Sequence, residues 1–156
     1  MAKCLRPKNA ILVARVFLDT NTLIYSNDDR VQEKKIRCAK WLRELSSSNQ
    51  AVVNLQVLNE FTNVMIRKKI DNNIERVFLL VQDFSLMGTT PLKYSTIANA
   101  KNILLNTNYG WWDCLLLAAA KELNCTYFLS EDMADRHNVD GVTIINPFLH
   151  LPSEIS

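Results

Sequence analysis

Apolar positions along this chain follow two alternating rhythms. Short, largely apolar runs at 16–18, 51–54, 125–129 and 142–145 are bounded by polar or turn residues and predict buried strands. Asn146-Pro147 closes the last of them, because proline cannot extend a ladder. Between the runs the spacing changes to three and four. A helix is predicted over 30–45 with Cys38, Trp41, Leu42 and Leu45 on one face, and another over 56–69 with Val57, Leu58, Phe61, Val64 and Met65 inward. A third, over 72–86, opens on Asn72 and Glu75 as a capping box and turns Ile74, Val77, Phe78, Val81 and Phe84 inward. Ser95 or Thr96 caps a fourth that ends near Asn106. The last opens at Tyr109-Gly110-Trp111-Trp112-Asp113, and its unbroken apolar run over 115–120 predicts a helix buried on all sides. Strands alternating with helices imply a mostly parallel sheet with helices on both faces.

Polar residues matter most where these elements begin and end. The first strand stops at Asp19, and the 125–129 strand runs into Ser130-Glu131-Asp132, so the pattern of strand then acid occurs twice. Ligands of open α/β sheets collect beyond the carboxyl ends of strands. Glu60 and Asp113 fall near the starts of helices that begin at that same edge. Each acid alone has an ordinary reading. Asp19 suits a helix N-cap or turn, Asp113 complements a helix dipole, and Glu60, in line with Gln56, Asn63 and Arg67, suits a wet helix edge. Their convergence on one sheet edge is what favours a site.

Composition narrows the class. At 156 residues, with 48% apolar and 22% charged side chains, the chain is expected to form one globular domain over 15–148, with an irregular leader over 1–14 and a tail over 149–156. Its formal charge of +2 is too small to mark a nucleic-acid binder by bulk electrostatics. Local charge therefore decides, and Lys34, Lys35, Arg37, Lys40 and Arg43 form a basic face that is either simply solvated or in contact with a polyanion. Cys4, Cys38, Cys114 and Cys125 lack Cys-x-x-Cys spacing and read as reduced structural thiols of a cytoplasmic protein. The apolar stretch over 11–14 is too short for a signal sequence, and no run reaches membrane-spanning length.

Four carboxylates in one place repel one another unless a cation neutralises them. Oxygen-only donors select Mg²⁺ or Mn²⁺, and no His or Cys is placed for a zinc site. Such sites suit phosphodiester hydrolysis. No Gly-rich phosphate loop, nucleophile elbow or Cys/His pair competes. A haloacid-dehalogenase-like phosphatase would need a second acid two residues after Asp19, where this chain has Asn21.

Phe17-Leu18-Asp19-Thr20-Asn21, Asn59-Glu60-Phe61, the run from Trp112-Asp113-Cys114 to Ala120, and Leu129-Ser130-Glu131-Asp132-Met133 together resemble the PIN-domain ribonucleases, most closely the VapC-like toxins of type II toxin-antitoxin pairs. Asp140-Gly141 through Pro147-Phe148 is similar to the end of one subset. No single motif is specific, but the ordered acids, separated by 41, 53 and 19 residues, are. The resemblance implies a PIN-like three-layer α/β/α sandwich around a mostly parallel twisted sheet. It implies a metal-dependent endoribonuclease in which Asp19, Glu60, Asp113 and Asp132 are catalytic and hold Mg²⁺ or Mn²⁺, with Asn21 and Ser130 as orienting polar residues. The expected substrate is RNA, gripped by basic residues around the pocket, with Arg67, Lys68 and Arg136 as candidates. The expected partners are a small antitoxin and a second copy of the chain in a homodimer. The antitoxin groove is expected between the 30–45 and 56–69 helices, on the premise that Trp41 and Phe61 cannot both fit the core. An inactive PIN-like interaction module and a solitary RNA-processing PIN nuclease are the alternatives.

Overall fold

The computed structural model describes residues 13–155. Most of the expected leader, residues 1–12, and Cys4 with it, lies outside them. The elements are β1 (Val16–Leu18), α1 (Thr20–Tyr25), α2 (Gln32–Ser47), β2 (Ala51–Val52), α3 (Leu55–Arg67), α4 (Ile74–Ser85), α5 (Tyr94–Asn106), α6 (Trp111–Glu122), β3 (Tyr127–Leu129), β4 (Asn138–Val139) and β5 (Val142–Ile145). A single 3-10 turn, Pro152–Glu154, follows and lies against α2, with Ile155 buried beyond it.

The five strands pair in the order β2-β1-β3-β5-β4. All neighbours are parallel except the antiparallel pair β4 and β5. The register sets Val16 beside Tyr127 and Leu18 beside Leu129, then Leu129 beside Ile145, so the central strands end level with one another. Their backbone bonding runs one step past the strand ends: the Asp19 N–H donates to Leu129 O at 3.2 Å, and the Ser130 N–H to Ile145 O at 3.0 Å. α2 packs near β2 while α1 bridges α2 and α3, and α5 and α6 pair with α6 against β5. The result is the expected α/β/α sandwich.

The central strands are buried, as parallel strands covered on both faces must be. Phe17 and Phe128 stack at 5.3 Å between ring centroids, and α6 is buried from Cys114 to Ala120. Trp41 and Phe61 are both fully buried, which overturns the premise that one of them is displaced to a groove. The core accommodates them because the Trp41 indole N–H donates to Pro147 O at 3.0 Å, and Phe61 meets Phe84 edge-on at 5.2 Å. Cys38, Cys114 and Cys125 are free and buried. No helix among the described residues is long and apolar enough to cross a membrane.

Several helix boundaries differ from expectation. α4 is capped by Asn73, whose side chain accepts the Arg76 N–H at 3.1 Å, because Asp71 first turns the chain by accepting the Asn73 N–H at 2.9 Å. α4 packs chiefly on α3, so Ile74 and Phe78, expected inward, are each 53% exposed. α5 begins at Tyr94. Thr96 lies inside it, accepting the Lys93 N–H at 3.2 Å and donating to Glu122 at 2.8 Å. β2 stops at Val52, and Asn54, expected in the strand, caps α3 by accepting the Val57 N–H at 3.0 Å.

Candidate metal and catalytic site

Asp19 occupies the N-cap position of α1, yet its side chain makes no capping bond. It instead accepts from Ser130 Oγ at 2.9 Å across the ends of β1 and β3. The same hydroxyl accepts the Asp132 N–H at 3.2 Å, shaping the turn that carries the second acid. Asn21, in the first turn of α1, donates from Nδ2 to Asp132 Oδ2 at 2.8 Å. The two strand ends are thus reciprocally braced: the residue two before Asp132 holds Asp19, and the residue two after Asp19 holds Asp132.

The adjacent acid takes no part. Glu131 turns away and accepts from Tyr25 Oη at 2.6 Å and from Lys34 Nζ at 2.9 Å.

Glu60 enters from the second turn of α3. Its carboxylate accepts from Thr20 Oγ1 at 2.9 Å and from Gln56 Nε2 at 2.6 Å. The helix edge whose pattern also suits a wet surface therefore faces a cleft, with Gln56, Glu60 and Asn63 along one wall. Asp113 projects from the first turn of α6 into the same cleft. All four acids line this space of about 480 Å³, together with Asn21 and Trp112, and no Lys or Arg is among its lining residues.

Crowding is visible in the electrostatics. Burial pushes the Asp19 carboxyl up to about 7, against the Ser130 bond that lowers it, and the charges of Asp113 and Asp132 raise it further. The Asp113 carboxyl is raised too, first by burial and then by Asp132 and Glu60. Among the described residues no three His, Cys, Asp or Glu side chains stand close enough to enclose a metal as they are placed. The donor set still fits a hard divalent cation. It offers oxygen only, contains no internal counter-charge, and holds carboxyls raised first by burial and then by one another's charge. Mg²⁺ moreover needs only one or two carboxylates, since it keeps several waters.

The three basic candidates lie outside the cleft lining. Arg67 ends α3 and is exposed. Lys68 follows it near Asp28, whose carboxyl is held low mainly by its bond from Arg30, with Lys68 adding to the effect. Arg136, in a left-handed backbone conformation at φ 64°, pairs with His150 at 3.2 Å. Sequence reasoning assigns no role to Thr20 or Trp112. Thr20 sits within the Asp19 motif, but its link to Glu60 spans 40 residues and has no local signal.

The PIN domain family model matches residues 16–137, a span that contains all four acids. No curated protein matches the chain.

Proposed function

The chain belongs to the PIN-domain family, whose members are generally nucleases, and on that footing we propose that it is a Mg²⁺- or Mn²⁺-dependent endoribonuclease. The observation that carries this reading is the meeting of Asp19, Glu60, Asp113 and Asp132 in one cleft without a basic residue among them. Asp19 and Asp113 would be the principal ligands of the cation, with Glu60 and Asp132 completing the acidic lining. When bound, the cation supplies Lewis acidity, acidifying water for in-line attack and offsetting charge that accumulates on the scissile phosphate.

The protein's own residues provide position. Ser130 fixes the Asp19 carboxylate, Asn21 fixes Asp132, and Thr20 with Gln56 fixes Glu60, so each acid except Asp113 is aimed by a donor from another segment or turn. Burial pushes the Asp19 carboxyl up to about 7, so near neutrality Asp19 would have to give up a proton in order to hold a cation. Asn21 also speaks against phosphoryl transfer to Asp19, since the position where a second acid would serve is committed to Asp132.

The finer reading is a toxin restrained by a small antitoxin, within a homodimer. Resemblance to VapC-like toxins supplies the partner class. An Arg or Lys of such a partner would find the uncompensated carboxylates a ready binding point. Exposed Ile74, Phe78 and Leu79 on α4 offer apolar surface suited to association. The test is cleavage of a single-stranded RNA oligonucleotide by the purified chain with Mg²⁺ or Mn²⁺. Cleavage that persists in excess EDTA overturns the metal mechanism, and absence of cleavage with either metal overturns the nuclease reading.

A further inference from the structure

We propose that Trp112 is a stacking platform for a nucleobase of the substrate at the mouth of the acidic cleft. The inference rests on the ribonuclease reading and adds how the strand is held beside the reacting phosphate. Trp112 is 61% exposed and lines the cleft that contains the four acids. Within the described residues its indole has no hydrogen bond and no ring partner, whereas its neighbour Trp111 packs against the core. An indole is the side chain with most to gain from burial, so leaving its face in water calls for an occupant.

Charge indicates what that occupant is. With no Lys or Arg in the lining, the cleft itself repels a polyanion and offers little to grip RNA apart from the metal. A nucleobase is uncharged, every base presents a π-face, and stacking on an aromatic ring is the sequence-tolerant way to hold single strands. A platform here would offset the repulsion where it is greatest.

The sequence also sets the platform next to the chemistry. Trp112 and Asp113 are consecutive residues in the first turn of α6, and the helix behind them is buried from Cys114 to Ala120. The ring therefore stands on a rigid mount beside a candidate metal ligand, so the stacked base belongs to a nucleotide at or next to the cut.

The test compares wild type, Trp112→Ala and Trp112→Phe, using single-stranded RNA oligonucleotides in which one abasic residue is moved stepwise through the sequence. Affinity is measured in the Asp19→Asn background to prevent turnover, and cleavage is measured in the native background. Trp112→Ala is expected to weaken binding of the intact oligonucleotide about tenfold, with Trp112→Phe retaining most of the affinity. An abasic residue at one fixed place relative to the cut should weaken binding by the protein that keeps Trp112 by a similar factor, and leave Trp112→Ala unaffected. Equal binding of every oligonucleotide by the protein with Trp112 intact, by Trp112→Phe and by Trp112→Ala would overturn the proposal while the nuclease reading stands. So would a loss in Trp112→Ala that is the same at every abasic position, which is the mark of a structural role or of a protein contact. If the native chain neither binds nor cleaves RNA, the ribonuclease reading fails and the stacking platform fails with it.

Discussion

The Asp19 carboxyl ordinarily ionises near 3.8, but burial, with the charges of Asp113 and Asp132, carries it to about 7. A folded-state value raised above the unfolded one means that the folded chain holds a proton which the unfolded chain has already released between those two values. Stability is then greatest below about 4 with respect to this group and falls as pH rises toward 7, by an amount on the order of 4 kcal/mol at most. Metal-free protein should accordingly melt lower at pH 8 than at pH 5.5, and Asp19→Asn should flatten that difference, both read from thermal unfolding. Added Mg²⁺ should restore the wild type at pH 8 and leave Asp19→Asn nearly unmoved. In cleavage assays Asp19→Asn and Asp113→Asn should each lower turnover roughly a hundredfold or more, with the fold intact. Wild-type turnover in either would show that the acids are assigned wrongly. Ser130→Ala removes the one side-chain donor to Asp19, and metal affinity measured by titration calorimetry should drop about 10- to 100-fold.

At the scale of elements, what can be read from the sequence is set by how far each signal reaches. The buried strands and α6 are legible because an unbroken apolar run has only one place to go. The acids are legible as a set because Asp19 and Asp132 both end parallel strands. Caps are harder: Asn72 and Asn73 are equally good cap residues, and only the Asp71 bond to the Asn73 N–H selects between them. β4 escapes the sequence reading although its signal is local. Asp140 and Gly141 both take left-handed conformations, at φ 52° and 93°, and form the tight turn of a hairpin with β5. Trp41 and Phe61 defeat it because the volume available to an aromatic ring is a property of several packed elements at once. Gly88 shows the same dependence. Its φ of 146° and the Val53 carbonyl oxygen, which crowds the place where a Cβ would stand, leave no room for a side chain after α4. Gly88→Ala should cost about 3 kcal/mol in chemical denaturation, and a neutral result would mean that this loop yields easily.

For the molecule as a whole, a nearly neutral net charge must be reconciled with the proposed polyanionic substrate. RNA affinity should fall with salt, each phosphate contact adding about 0.7 to the slope of the logarithmic plot for a single strand. Arg67→Glu should weaken binding and reduce that slope, and an unchanged slope would exclude Arg67 as a phosphate contact. Co-expression with a neighbouring small reading frame, followed by size-exclusion chromatography and a cleavage assay, checks the antitoxin reading. Failure to co-purify, or co-purification without inhibition, favours a solitary nuclease. The brace between Asp19 and Ser130, and between Asn21 and Asp132, joins residues 111 positions apart in the chain. Neither segment can therefore be exchanged on its own. A chimera that takes the turn after β1 from one relative and the turn after β3 from another inherits two mismatched halves, and should recover its metal affinity only when both turns come from the same parent.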